Sequence, residues 1–362
     1  MESLINMYWK QVEETLNQYH HLFNISKSSK VALFGAGPYG SIAANYLKNQ
    51  GYQIKIFIDN NPEKQGIIID GISVVAPDSI PEYDIDVTLI TAHHVIKPIR
   101  EQLDRLKIPN FSFDSFFVSV NIYRLEQVYQ KLLKDDRSKK VYSSIILSLL
   151  TGSREYCINV FEQQQYFALP QFRLIDDAYF VDAGAYVGDT IEQFLWVNSG
   201  VFSHIYAFEP GELQFQAMKA RTKRLKREWA IGEEKITLIN GGLGKNSGQS
   251  IFSLNNNQLQ SSSFVETGAN NYISCPIFSL DQYLEGRPVT FIKSDIEGME
   301  MEMLAGARES IKKFKPRMAL SIYHRPEDLF QIAEYIHELV PDYNMAIRHH
   351  SPSVTETVLY CW

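Results

Sequence analysis

Residues 180–190, FVDAGAYVGDT, close an apolar run with a carboxylate, Asp182, and then place glycines at 184 and 188. An apolar run of strand length that breaks at glycines and passes into a helical pattern predicts a strand–turn–helix unit of an α/β fold. A second such stretch lies upstream. VALFGAGPYG, residues 31–40, reads G-x-G-x-x-G through Gly35, Gly37 and Gly40. The later spacing is D-x-G-x-x-x-G, so the two loops are expected to serve different ligands. A chain of 362 residues is long enough for two such units, each with its own core.

The upstream loop sits in a βαβ pattern: KVALFGAG as a strand, PYGSIAANYLKNQG as a helix closed by Gly51, and YQIKIFID as the next strand, ended by Asp59. Glycines there let backbone N–H groups at a helix N-terminus approach a pyrophosphate, while Asp59 accepts from a ribose diol. The continuation IDNNPEKQGIIIDGISVVAP resembles the N-terminal nucleotide-binding domain of bacterial sugar-modifying enzymes. NAD, a nucleotide sugar, or no ligand in a scaffold kept for assembly are the open alternatives.

At the downstream loop, a carboxylate at the strand end would repel a pyrophosphate but suits a ligand with a positive amino group. S-adenosylmethionine is such a ligand, with an ammonium, a sulfonium, a ribose diol and no phosphate. Glu209 ends the following strand in YAFEP, where its two oxygens can accept from both ribose hydroxyls. The expected donor site is Asp182, Gly184, Ala185, Gly188, Asp189, Thr190, Glu209 and Pro210. Further strands are read at KITLIN, VTFIKSD and RMALSIYH. The end of the chain, YNMAIRHH, SPS, TETVLYCW, reads as two extended segments joined by a short turn, which have to be antiparallel.

FVDAGAYVGDT, YAFEP, FSLDQYL, KSDIEGMEMEMLAGA and LSIYH, in this order, resemble the successive motifs of the FkbM family of S-adenosylmethionine-dependent methyltransferases, over roughly residues 166–362. The resemblance implies a class I methyltransferase domain, a seven-stranded, mostly parallel sheet ending in an antiparallel hairpin, and methylation of hydroxyl groups on sugars or natural products. Tyr186 departs from it, standing where the family often has a smaller or an amide residue. The expected organisation is an N-terminal helix (1–25), a Rossmann-like nucleotide-binding domain (26–120), a helical linker (121–165) and the methyltransferase domain (166–362).

In an open α/β sheet the chemistry occurs at the carboxyl ends of the strands. KSDIEGME puts Asp295 and Glu297 there, and SIYH puts His324 at the next strand. Asp295 as general base, Asp295 and Glu297 as ligands of a divalent cation that activates the hydroxyl, and Glu297 with Glu300 as stabilisers of a helix N-terminus are three open roles. His324 is a second candidate base. His349 and His350 read as packing residues, and Ser262 and Ser263 as part of a polar loop.

The net charge of −7 argues against a nucleic-acid partner, and the basic run KARTKRLKREW (219–229) reads as a solvated helix face. Three cysteines without a CxxC spacing suit a reducing cytoplasm. No signal peptide or uncharged membrane-length run is seen. Apolar residues of the first helix, Trp9, Val12 and Leu16 among them, are expected to pack on their own domain, with a homo-oligomer contact as the alternative. The expected function is O-methylation of a sugar hydroxyl on a small-molecule or glycan acceptor, in glycan or natural-product synthesis. The alternative is an NAD-dependent oxidoreductase, an epimerase or a nucleotide-sugar-binding module centred on the first domain, which has no Tyr-x-x-x-Lys pair near its strand ends.

Overall fold

The computed structural model describes residues 2–19, 25–253 and 272–362. The chain divides into two compact units, residues 1–126 with 142–156, and residues 127–141 with 157–362. Among the described residues no helix is long and apolar enough to cross a membrane.

The first unit holds a six-stranded sheet of β1 (Lys30–Phe34), β2 (Gln53–Ile58), β3 (Ile68–Ile69), β4 (Ile72–Val75), β5 (Val87–Ile90) and β6 (Asn110–Ser112), in the order β3-β4-β2-β1-β5-β6. β1 lies parallel to β2 and β5 and is buried from its second residue on, as expected of an apolar run covered on both faces. The helix Pro38–Asn49 begins with proline at its first turn, where a missing N–H costs no bond. Gly40 lets that helix meet the loop before it: a Cβ there would lie 2.0 Å from the Gly35 carbonyl oxygen. The helix Glu2–Tyr19 buries Trp9, Val12 and Leu16. Phe23, which continues the same three-to-four-residue spacing in the sequence, lies outside the described residues.

The second unit holds β7 (Tyr179–Ala183), β8 (His204–Phe208), β9 (Ile236–Ile239), β10 (Gly242–Leu243), β11 (Gly248–Ser253), β12 (Tyr272–Phe278), β13 (Phe291–Ser294), β14 (Arg317–Ser321), β15 (Met345–His349) and β16 (Thr357–Cys361). Seven of them form one sheet in the order β15-β16-β14-β13-β7-β8-β9. It is parallel from β14 to β9, while β16 runs antiparallel to both β14 and β15. The fold class read from the sequence, α/β with a terminal antiparallel hairpin, therefore holds. The core beneath it is aromatic, with the rings of Phe180 and Phe291 stacked 4.7 Å apart on neighbouring strands. β11 and β12 pair antiparallel on either side of residues 254–271, and Ser262 and Ser263 lie outside the described residues.

Two features of this sheet position the site. β7, β8, β13 and β14 all end on the same edge. The register sets Asp182 of β7 directly beside Lys293 of β13.

Candidate active site

The loop after β7 turns through three left-handed residues, Gly184 (φ 74°), Tyr186 (φ 47°) and Gly188 (φ 80°). Only glycine fits at 184, because a Cβ would stand 1.9 Å from the Asp295 carbonyl oxygen. Glu209, one residue past β8, ties the loop down. Its Oε2 accepts from the Tyr186 N–H at 2.8 Å and its Oε1 from the Gly211 N–H at 2.7 Å. Burial pushes the Glu209 carboxyl up to about 7 against the pull of these two bonds. Tyr186 serves the turn through its backbone, so its departure from the usual residue does not disturb that bond. A left-handed tyrosine is nevertheless strained.

A cavity of about 380 Å³ opens over the strand ends, bounded on this side by Gly184, Asp189, Thr190, Glu209 and Pro210. Asp182, Ala185 and Gly188, read from the sequence as donor-site residues, do not line it. Asp182 is wholly buried, with Lys293 Nζ 3.1 Å from its Oδ1. The same ammonium donates to the carbonyls of Gly184 (2.6 Å) and Ala183 (3.3 Å). The Asp182 contact is an ion pair of proximity, since neither oxygen has an aligned hydrogen bond. Burial works against the charge on Lys293, but Asp182 overrides it and holds the ammonium above its ordinary value. The physical reason for the revised placement is register: the strand partner of Asp182 is a cation, and the carboxylate faces that cation inside the sheet. Ala185 is buried, and Gly188 backs onto Met218.

The opposite side of the cavity includes Tyr166, Asp295, Glu297, Tyr323 and Glu356. Asp295 directly follows β13. Its Oδ2 accepts from the Tyr166 hydroxyl at 2.5 Å, and its Oδ1 lies 3.1 Å from the Tyr323 hydroxyl and 3.2 Å from His324 Nε2. Burial alone would raise this carboxyl, but His324, Lys293 and Tyr166 together hold it far below the ordinary carboxylate range. Glu297 sits one turn further on with a left-handed backbone (φ 54°). Its side chain is 39% exposed, enough to reach a bound molecule, and its carboxyl is pushed up to about 7 by burial and by the neighbouring Asp295 and Glu300, against His324.

His324 lies three residues beyond the end of β14 and is not among the cavity-lining residues. Its Nδ1 is 3.0 Å from Glu300 Oε1 and its Nε2 3.2 Å from Asp295 Oδ1. Burial pulls the imidazole down, yet these two carboxylates outweigh it and hold it well above its ordinary value, so it is an imidazolium at neutral pH. Glu300 is fully buried and also accepts from the Ile296 N–H at 2.9 Å, closing the turn that carries Glu297. One ligand atom from each of Asp295, Glu300 and His324 falls within 4.8 Å of the others. His324 Nε2 and Glu300 Oε2 are buried without an aligned hydrogen-bond partner, and the three residues could hold a divalent cation only with the imidazole neutral. His349 bonds Thr357, and His350 bonds the Glu162 carbonyl and the Tyr360 hydroxyl, away from the cavity.

In the first unit, Gly35 (φ 120°), Gly37 and Gly40 form the turn into the helix Pro38–Asn49. Asp59 holds that turn itself. Its Oδ2 accepts from the Ala36 N–H (2.9 Å) and Lys64 Nζ (3.1 Å), and its Oδ1 from the Asn61 N–H (2.9 Å). A ribose diol would have to share these oxygens.

Lys293, Tyr166, Tyr323 and Glu356 escaped the sequence reading. A lysine inside the otherwise apolar strand VTFIKSD was the available signal for the first of them. Tyr166 comes from 129 positions upstream of Asp295, and no local pattern marks it.

Residues 182–344 match the family model of the methyltransferase FkbM domain, and residues 27–130 match that of C2185-like proteins, N-terminal. A search of curated proteins finds no match. Among solved structures, a methyltransferase FkbM from Methylobacillus flagellatus KT is 22% identical, with 99% of this chain and 100% of that one covered at a TM-score of 0.61. UDP-D-quinovosamine 4-dehydrogenase from Vibrio fischeri is 28% identical over 23% of this chain and 75% of that one, at a TM-score of 0.21. Aeropyrum pernix fibrillarin with natively bound S-adenosyl-L-methionine is 10% identical over 54% and 70%, at a TM-score of 0.32. The motifs around the cavity and the matched residues agree, and the chain carries an FkbM methyltransferase domain in its second unit.

Proposed function

We propose that the second unit transfers a methyl group from S-adenosylmethionine to a hydroxyl, with Glu297 taking the hydroxyl proton. The acceptor proposed is a sugar hydroxyl in glycan or natural-product synthesis. The observation that carries this reading is a single cavity over the carboxyl ends of the strands that brings the Gly184 turn and Glu209 together with Glu297. The donor supplies an electrophilic methyl on a sulfonium. The residues suit such a ligand because the lining carboxylates match a cation and a ribose diol, while the lining ammonium, Lys293, is committed to Asp182 and two carbonyls. A phosphate would meet carboxylates there and no uncommitted lining ammonium among the described residues.

Glu209 would hold the ribose diol, and Gly184, Asp189 and Thr190 the amino-acid tail. Of the three candidate bases, Asp295 is ionised but too weak, and His324 already carries its proton. Glu297, with its carboxyl near 7, is matched to proton transfer at neutral pH. Asp295 and His324 are therefore assigned as the fixed ion pair that positions the Glu297 turn and the two tyrosines. No step is routed through a metal.

Glu209→Ala is expected to weaken S-adenosylhomocysteine binding about tenfold to a hundredfold, the scale of one or two lost charge-assisted hydrogen bonds. Calorimetry checks this, with Glu209→Gln, which keeps an acceptor oxygen, losing less. Unchanged affinity in Glu209→Ala would remove Glu209 from the donor site.

A further inference from the structure

On the footing of the methyl-transfer reading, we propose that the acceptor carries a protonated amine near its reacting hydroxyl, as an amino sugar or amino polyol does, and that acceptors bearing a phosphate or carboxylate inside the cavity are rejected. Five carboxylates line the cavity: Asp189, Glu209, Asp295, Glu297 and Glu356. Lys293 is the lining ammonium among the described residues; two of its three N–H donors go to the carbonyls of Ala183 and Gly184, and its charge is matched by the wholly buried Asp182, 3.1 Å away. Residues 254–271 contain no lysine or arginine that could make up the difference.

The charges of the reaction do not balance the wall by themselves. As the O–C bond forms and the S–C bond breaks, the hydroxyl proton passes to Glu297, so the sulfonium charge and the Glu297 charge disappear together. Asp295 is matched by His324, and the donor's own ammonium and carboxylate cancel. Asp189, Glu209 and Glu356 are left over, and of these the one on the acceptor side, beside Asp295 and Tyr323, is Glu356. Its Oε1 lies 3.2 Å from the Tyr323 hydroxyl and its Oε2 accepts from Gln165, both uncharged donors. Burial and Asp295 both push its carboxyl up.

Glu297 (φ 54°) and Glu356 (φ 62°) both line the cavity from left-handed turn positions. An incoming amine between them would gain charge-assisted hydrogen bonds. A diphosphate or a uronate would meet like charges in a partly buried space.

The test is calorimetry on the full chain saturated with S-adenosylhomocysteine, against a matched set: glucosamine, glucose, glucose 6-phosphate and glucuronate. Glucosamine is expected to bind at least about tenfold tighter than glucose, and the two anions more weakly than glucose. Glu356→Gln should bring glucosamine to within about twofold of glucose while S-adenosylhomocysteine affinity is kept. Equal binding of glucosamine and glucose, binding of either anion as tight as that of glucosamine, or no detectable glucosamine binding overturns the proposal. Failure of S-adenosylhomocysteine to bind would count against the donor reading alone, and the sugar set on the unliganded protein would then still decide the charge preference.

Discussion

Replacing Glu297 by glutamine is expected to lower kcat about 10²–10⁴-fold, the usual contribution of a positioned base, with S-adenosylhomocysteine affinity unchanged within about twofold. The carboxylate form is the active one, so the wild-type rate should rise with pH through about 7, where burial and its acidic neighbours have placed this group, and level off above. The variant should lack that limb. Product release followed over a range of pH, with an acceptor that turns over, checks both points. Asp295→Asn is the control: it breaks the contact with His324 but removes no proton acceptor of useful strength. Activity and the limb surviving in Glu297→Gln but lost in Asp295→Asn would make Asp295 the base.

The second large effect concerns stability. Lys293→Met leaves Asp182 buried without its partner and strips the Gly184 carbonyl of its donor. Orphaning one member of a buried ion pair costs about 3–5 kcal/mol, so the denaturation transition of the second unit should move to markedly lower denaturant. Asp182→Asn in the same chain should restore much of that loss, since the uncompensated charge is then gone. The pH dependence has a definite sign. Burial raises the carboxyl of Asp182, and without Lys293 nothing opposes it. The folded Lys293→Met variant then binds a proton that the unfolded chain releases, so its stability is retained at low pH and falls as pH rises through the folded-state value. A loss independent of pH and not relieved by Asp182→Asn would mean that the pair is not ionic.

What the sequence made legible follows from which forces are local. Apolar runs such as YFVDA and HIYAF announce strands buried on both faces, and the SPS turn between two such runs requires the antiparallel hairpin β15–β16. Acids at strand tips are local too, so Glu209, Asp295 and Glu297 were found by position. Partnership was not legible. The register of β7 against β13 decides that Asp182 faces Lys293, and that register is a long-range packing outcome. Tyr166 and Glu356 reach the cavity from a segment before β7 and from the turn before β16, and nothing in their neighbours marks them. Roles also depend on surroundings rather than residue type: Asp295 is held low by His324, Lys293 and Tyr166, while Glu297, two positions on, is pushed up by burial and by Asp295 and Glu300 against the pull of the same histidine. The strained turns at Tyr186, Glu297 and Glu356 break local preference at the site itself, where sequence propensity is the poorest guide.

The most direct measurement is the structure of the full chain crystallised with S-adenosylhomocysteine. The account predicts the ribose hydroxyls at hydrogen-bonding distance from Glu209, about 2.5–3.0 Å, the amino-acid tail over Gly184, and the sulfur facing Glu297. The product bound elsewhere, or a phosphate group seated between Gly184 and Glu209, would contradict it.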